Sequence, residues 1–187
     1  MSNNASSLPT RDQIPPIQTW NAPTVFPNRD AWEVAAGEVL ALLPEAKKFA
    51  GRLAESPQTL ADFIDIAEKI QRQAMNVYFY AAMEAACNAL DSQATAMTGK
   101  ANGIFAQSMA SMSFLDPELI AIGQSQLNQW VASEPRLAHY AQYIDNLFRR
   151  QKHVRSAEVE QIIGMSFDPM GASENVFDIL TSADMKF

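Results

Sequence analysis

The sequence has one cysteine and two histidines in 187 residues, so the side chains that build disulfides and metal sites are scarce. Cys87 cannot form an internal disulfide bond, and a single thiol is typical of a reducing compartment. Since no histidine lies near it in sequence, we predict that Cys87 is a small core residue and not a nucleophile. His139 and His153 have no cysteine or carboxylate at ligand spacing, so they predict no metal site.

The sequence also has no excess of basic residues and no long apolar run. Fourteen Lys and Arg against 21 Asp and Glu give a net charge of -7, which argues against a nucleic-acid partner. No apolar stretch approaches the roughly 20 residues that span a bilayer, and the polar start MSNNASSLPTRDQ has no secretory h-region. We therefore predict a cytoplasmic protein with no nucleic-acid or membrane partner.

What is present is helical periodicity, strongest between Ser56 and about Asn88. Ser56 is a good N-cap, Pro57 suits the first helical position, and no later Pro or Gly interrupts the segment. Its apolar residues recur at steps of three and four, which predicts one long helix that serves as the spine of the fold. A second apolar row from Met75 onward predicts that the second half is buried on more than one side. That row contains Ile66, Met75, Phe79, Met83 and Ala86.

Similar stripes predict helices on both sides of the spine. One helix, capped by Asn28, extends to Leu53 and is kinked or split by Pro44. Another starts at Asp91 or Ser92 and contains Gly99 and Gly103, which would allow a neighbouring helix to approach closely. Shorter helices begin at Asp116-Pro117, Ser125, Pro135 and Ser156, a loop covers 167–173, and a last helix covers 174 to about 180.

The fold class predicted from these patterns is all-α, an elongated array with two or three long antiparallel helices and several short ones. Residues 1–19 form a polar tail. The helical lobe covers 20–187, and its Trp20 segment is extended and docked on the helices. Residues 184–187 read as the opening of a strand with no sheet to join, so the chain looks cut. The predicted core is Phe63, Ile70, Val77, Tyr78, Ala81, Ile104, Phe105, Ile144, Leu147 and Phe148.

Motifs that carry chemistry are missing as well. The sequence contains no H-E-x-x-H, no P-loop and no G-x-G-x-x-G after a strand. Its acidic residues are scattered as on a solvated surface, and Met97, Met109 and Met112 have core spacing, which favours packing over a peptide groove. We therefore assign no catalytic, cofactor-binding or metal-binding residue to this chain.

Four blocks of sequence, taken in order, resemble the N-terminal region of oligoendopeptidase F-type zinc metallopeptidases, relatives of thimet oligopeptidase. The resemblance extends from Trp20 to Phe187. The blocks are DAWEVAAGEVLALLPEAKKFAGRLAESPQTLADFIDI, VYFYAAMEAACNALDSQA, SFLDPELIAI, and YAQYIDNLFRRQKHVRSAEVEQIIG followed by ENVFDILTSADMKF.

The resemblance implies a helical lid or wall lobe of a cytoplasmic enzyme that cleaves short peptides. It implies zinc only for the longer parent, since the zinc ligands belong to a catalytic lobe with no matching positions here. This chain alone is expected to be inactive, with that catalytic lobe as its partner. Two other hypotheses stay open, a standalone helical binding or scaffold protein and an unrelated enzyme with its own site. We also expect weak self-association through an apolar C-terminal end around Phe177, Leu180, Met185 and Phe187.

Overall fold

The computed structural model describes residues 13–88, 90–151, 157–166, 170–172, 176–177 and 180–181. Within these ranges the chain forms α-helices and short 3-10 helices, and none of the residues is in a β-strand. The predicted all-α fold class is therefore confirmed. The α-helices are α1 (Arg29–Lys47), α2 (Pro57–Cys87), α3 (Ser92–Ser111), α4 (Leu115–Ile122), α5 (Gln124–Ser133), α6 (Ala141–Arg150) and α7 (Ala157–Met165), and the 3-10 helices are Pro16–Gln18, Ala22–Thr24 and Pro135–Tyr140.

The long helix α2 forms as the sequence predicts. The Ser56 hydroxyl accepts a hydrogen bond from the Thr59 backbone N–H at 3.0 Å, and Pro57 occupies the first helical position. The helix then continues for 31 residues, or about 46 Å at 1.5 Å per residue. Its apolar stripe is buried from Leu60 to Ala81. This helix is the spine against which the others pack.

Helices α1 and α3 both pack along α2, and each donates one hydrogen bond to its backbone. The Trp32 indole N–H of α1 donates to the Val77 carbonyl at 2.8 Å, and the Thr98 hydroxyl of α3 donates to the Ala81 carbonyl at 3.1 Å. A carbonyl oxygen has two lone pairs, so it can accept such a bond in addition to its helical one. The two carbonyls are four residues apart, and the hydrogen bonds to them fix the positions of α1 and α3 along the axis of α2.

A second layer of short helices covers the N-terminal half of α2. Helices α4, α5, α6 and the 3-10 helix Pro135–Tyr140 pack on one another there, while α7 lies against α3. The Glu118 carboxylate of α4 accepts hydrogen bonds from the backbone N–H groups of Gly51 at 2.6 Å and Leu53 at 3.2 Å. Gly51 has φ of 79°, a left-handed conformation that favours glycine. Glu118 thereby holds the turn after α1 against the second layer.

The segment that begins at Trp20 docks on the core, as predicted, but it is not wholly extended. Trp20, Val25 and Phe26 pack against the buried cluster, and the Phe26 ring meets Tyr80 edge-on at 5.4 Å. Residues Ala22–Thr24 form a 3-10 helix instead of an extended strand. Proline at an early position suits such a turn, because it fixes φ without requiring a backbone donor.

Three predicted helix boundaries are wrong. Helix α1 continues through Pro44 to Lys47 and is not split, since a proline in the last turn removes only one backbone bond. Helix α4 begins at Leu115, so Asp116 is inside the first turn and is not the cap. The segment at Pro135 starts as a 3-10 helix and becomes α-helical only at Ala141.

The C-terminal predictions are tested only in part. Helix α7 forms over the predicted residues, while its predicted cap Ser156 lies outside the described residues. Residues 170–172 are helical, so the predicted loop over 167–173 is wrong at those positions. Residues 176–177 are helical in agreement with the predicted last helix. The predicted strand at 184–187 and most of the 1–19 tail lie outside the described residues.

Most of the predicted core is buried, but three of its four aromatic members are only partly buried. Tyr78, Phe105 and Phe148 are only partly buried at the edge of the cluster. On α2, Phe79 is 50% exposed and Met83 is 36% exposed, so the second apolar row of the spine is not fully buried. Helices α1 and α3 cover two sides there, and no described helix covers the third. The predicted core residues that are buried are Phe63, Ile70, Val77, Ala81, Ile104, Ile144 and Leu147.

We expect Phe63→Ala to lower the free energy of unfolding by about 3–5 kcal/mol, because the ring is fully buried between Phe49 and Phe114. The matched variant Phe105→Ala should cost less than about 2 kcal/mol, because part of that ring already contacts water. Urea titration followed by circular dichroism measures both. Equal losses would mean that Phe105 is as well packed as Phe63.

Three helix ends are joined by the Arg29 guanidinium at the start of α1. It donates to Asp91 Oδ2 at 2.6 Å, to Gln93 Oε1 at 2.8 Å and to Glu84 Oε2 at 3.3 Å. Asp91 also caps α3, where its Oδ1 accepts from the Gln93 and Ala94 backbone N–H groups at 3.0 Å each. The bond from Arg29, followed by the bonds from the α3 amides, lowers the pKa of Asp91 from its ordinary value of 3.8.

The lowered pKa predicts a stability contribution that acid removes. It is complete above the unfolded pKa of Asp91, near 4, and is lost as pH falls through the lower folded pKa. Unfolding titrations at pH 6, 4 and 2.5 should therefore show that wild type loses more stability on acidification than Asp91→Asn, a variant that keeps a capping side chain without the charge. Parallel pH profiles for the two proteins would contradict the assignment.

Candidate functional site

A groove of about 550 Å³ lies between the N-terminal half of α2 and the second layer. Helix α2 forms its floor, the C-terminal end of α3 and helix α4 form one side, and the 3-10 helix with α6 and α7 completes the wall. Its volume is within the range of small-ligand sites in proteins. It is the best candidate for a functional site in the described part of the chain.

The groove walls are predominantly apolar. They are formed by residues of the same apolar helix stripes that pack the fold. In a 3-10 helix the side chains at i and i+3 lie one above the other, so Leu137 and Tyr140 both face the groove. Met109 is 47% exposed and lines the opening together with the half-buried Met112. The prediction that Met109 is a core residue is therefore wrong, whereas Met97 is buried as predicted. The other apolar lining residues are Leu60, Ile64, Ala67, Leu115, Leu119, Ile144 and Ile163.

Two tyrosine–carboxylate pairs supply the polar part of the groove. The Tyr140 hydroxyl donates to Glu68 of α2, and the Tyr143 hydroxyl donates to Asp116 of α4. The two rings meet edge-on, with their centroids 6.4 Å apart. Each pair connects the α6 side of the groove to a different neighbouring helix. Asp116 is thus a groove residue and not the helix cap that its sequence position suggests.

Burial and these hydrogen bonds raise the pKa values of both tyrosines. Desolvation, followed by the bond to Asp116, raises the pKa of Tyr143 well above its ordinary value of 10.0. The pKa of Tyr140 is raised by desolvation and by Glu68 in the same order. Both hydroxyls are therefore neutral hydrogen-bond donors at physiological pH, and they hold two carboxylates at the groove without neutralising their charge.

The residues singled out from the sequence lie elsewhere. Cys87 is half-buried at the end of α2 and is not part of the core cluster, and His139 is exposed. His153 lies outside the described residues. The close approach that Gly99 and Gly103 would allow is not used, because a methyl group added at either would meet no atom of a neighbouring helix within 4 Å.

The groove residues were missed because no single motif contains them. Glu68, Asp116 and Tyr143 are separated by 48 and 27 positions and meet only through helix packing. The one local signal is the spacing of Tyr140 and Tyr143, which places two phenols on neighbouring positions of the same helical surface. That spacing indicates a shared face but not what the face contacts.

The described residues do not fit a zinc ion. No group of three or more His, Cys, Asp and Glu side chains comes close enough to bind a metal within the described ranges. Catalytic zinc sites use three such ligands, so no step of a metal-dependent reaction is assigned to these residues. Of the helices that the structure describes, none is both long and apolar enough to cross a membrane.

Comparison with known proteins finds similarity to peptidases. The family model for oligopeptidase F matches residues 118–187. Oligopeptidase PepF of Bacillus subtilis is 27% identical over 183 residues, which are 98% of this chain and 27% of that protein. Group B oligopeptidase PepB of Streptococcus agalactiae is 28% identical over 187 residues, which are 100% of this chain and 30% of that protein.

Solved structures share the fold. Oligoendopeptidase-F from Enterococcus faecium superposes with a TM-score of 0.79 at 24% identity, covering 86% of this chain and 32% of the other. A putative peptidase from Chlamydophila abortus gives a TM-score of 0.64 at 21% identity, covering 95% of this chain and 30% of the other. At these identities the superpositions show the helical fold alone.

The chain is thus similar to oligopeptidases. More particularly, the chain resembles the N-terminal region of oligoendopeptidase F along its whole length, and the resemblance predicted from the sequence is confirmed. The chain spans about 30% of the length of the curated relatives that it matches.

The raised tyrosine pKa values predict alkaline sensitivity. A folded pKa above the unfolded value gives stability that is complete below about pH 10 and is lost as pH rises through the folded pKa. We expect urea titrations between pH 8 and 11 to show a smaller alkaline loss for the Tyr140→Phe/Tyr143→Phe variant than for wild type. The same loss of stability in both proteins would show that folding does not raise the pKa values of these hydroxyls.

Proposed function

We propose that this chain is the N-terminal lid or wall lobe of a zinc-dependent oligoendopeptidase that cleaves short peptides. The observation that carries the proposal is the match to oligopeptidases over 98–100% of the chain. The fold agrees, because a rigid helical layer with an apolar groove suits a wall that confines a peptide and does not itself react with it.

In this proposal the chemistry belongs to a catalytic lobe that is the partner of this chain. Zinc bound in that lobe would polarise the scissile carbonyl and activate water. The described residues contribute walls, and the groove presents two carboxylates held by tyrosine hydroxyls. On its own the chain is expected to cleave no peptide.

The competing hypothesis of a standalone binding or scaffold protein is favoured by one observation. The groove is formed entirely by this chain, so ligand binding there needs no second lobe. The two hypotheses agree on binding and differ on hydrolysis. We infer the oligopeptidase lobe because the relatives that match at full coverage are named as peptidases.

We further propose a cytoplasmic location and weak self-association through the C-terminal end. Phe177 is 63% exposed and Leu180 is 47% exposed, and exposed apolar side chains of this size favour association. Met185 and Phe187, the other residues expected at this surface, lie outside the described residues. Light scattering against protein concentration tests the association directly.

The enzyme proposal predicts a division of activity between two proteins. The 187-residue chain should leave a quenched fluorescent octapeptide intact with or without added zinc. The proposal requires that the native reading frame continues past Phe187, and the longer polypeptide should then cleave that octapeptide, lose the activity to a chelator and regain it with zinc. It should also leave folded proteins uncut, because a confined site admits only short chains.

Two results would contradict the proposal. One is zinc-dependent cleavage by the 187-residue chain itself, which would require ligands within this sequence. The other is a native reading frame that stops after Phe187, which would favour the standalone binding protein.

A further inference from the structure

The charge of the groove is one-sided. Among the described residues that line it, the ionisable side chains are Glu68, Asp116 and the two tyrosines, and none is Lys, Arg or His. The tyrosine hydroxyls donate to the carboxylates and leave their negative charge in place. An apolar ligand that carries a positive charge next to its apolar part would therefore be favoured over a neutral or anionic one.

The two carboxylates differ in how far described cations compensate them. Asp116 has Arg150 at 3.9 Å, at the limit of an ion pair, and the Arg150 side chain is 58% exposed. Glu68 forms no ion pair with any described cation. Arg136 is engaged by Asp62 at 2.8 Å, Asp65 at 2.9 Å and Glu134 at 3.3 Å. Glu68 thus attracts a cationic ligand group more strongly than Asp116 does.

The shape of the groove limits the apolar part of the ligand. A space of about 550 Å³ accommodates a few amino-acid side chains, and the apolar part of its walls consists of aliphatic and thioether groups beside the two tyrosine rings. Methionine side chains such as Met109 and Met112 adapt to different apolar partners because they are unbranched and flexible. The groove therefore suits apolar residues of various shapes and does not select one.

We propose that this groove binds a short peptide with its apolar side chains against Met109, Met112 and Ile64, and with a cationic group at Glu68. The cationic group is either a free amino terminus or a Lys or Arg side chain, which present the same chemistry. That the ligand is a peptide rests on the proposed function. That the peptide carries a positive charge rests on the negative charge of the groove.

Binding is tested by nuclear magnetic resonance on the ¹⁵N-labelled 187-residue chain. The probes are the end-capped tetrapeptide Leu-Phe-Leu-Arg, its counterparts with Gln or Glu in place of Arg, and the Gln peptide with a free amino terminus. Amide shifts of groove residues should titrate with the Arg peptide about two- to fivefold tighter than with the capped Gln peptide, as expected for an exposed charge pair. The Glu peptide should bind most weakly, and 0.5 M NaCl should reduce the differences.

The free-amine peptide separates the two sources of positive charge. If it binds like the Arg peptide, the amino terminus is sufficient. If it binds like the capped Gln peptide, the cation is a side chain. Both results support the groove as a site for cationic peptides.

Two pairs of variants locate the effect. Glu68→Gln should abolish the preference for Arg over Gln while apolar binding remains. Met109→Lys should weaken all peptides and most strongly the Arg peptide, whereas Met83→Lys, which alters an exposed methionine of α2 away from the groove, should change nothing. Met83→Lys is the matched control for surface charge and for folding, since both methionines are at least one-third exposed.

Several outcomes would overturn the proposal. These are no shift of groove amides with any peptide, equal affinity for Arg and Glu peptides, or equal effects of Met109→Lys and Met83→Lys. Concentration-dependent shifts of the same amides without peptide would assign the groove to a second copy of the chain. Protection of these amides in the longer polypeptide, with no peptide added, would assign it to a downstream segment.

Failure of this inference and failure of the proposed function give different results. Peptide cleavage by the longer polypeptide together with an inert groove would remove the inference and leave the function. Charge-selective binding in the groove without any hydrolysis by the longer polypeptide would keep the site and make the chain a peptide-binding module.

Discussion

The hydrogen bond between the Trp32 indole and the Val77 carbonyl is the contact on which the arrangement of long helices depends. Trp32 is 1% exposed, and its N–H would be left without a partner in an apolar environment if α1 shifted along α2. The ring also has Lys100 of α3 at 5.8 Å from its centroid. One side chain therefore relates α1 to both of its neighbours, and burial of the α2 stripe follows from that alignment.

The alignment of the long helices also positions the groove. The N-terminal half of α2 supplies the floor on which the second layer packs. The Glu118 carboxylate ties this layer to the turn after α1 through the Gly51 and Leu53 amides. The Tyr140–Glu68 pair then connects the 3-10 helix Pro135–Tyr140 to α2, and the Tyr143–Asp116 pair connects α6 to α4. The candidate site is therefore a consequence of packing between layers, not of a specialised loop.

The sequence predicted best where local chemistry decides the structure. The Ser56 cap, Pro57 at the first position and the uninterrupted stripe defined α2 almost to the residue, and Asn28 and Asp91 cap their helices as expected. Its alternative that Pro44 splits the helix failed, because two local signals compete there. A proline disfavours a helix there, but the buried residues Leu43 and Ala46 on either side favour its continuation. The apolar packing of α1 prevails.

By itself the sequence determined the helical class, the long helices with their caps, and the resemblance to an oligopeptidase region, because each depends on residues close together along the chain or on their order. Tertiary structure alone decided which apolar residues are core. Phe63 and Phe105 are equivalent in pattern, yet only the first is enclosed, since burial depends on which faces the neighbouring helices cover. It also decided that Glu68 and Asp116 face the same groove as two tyrosines. Side chains on separate segments acquire a common role only when packing brings them together.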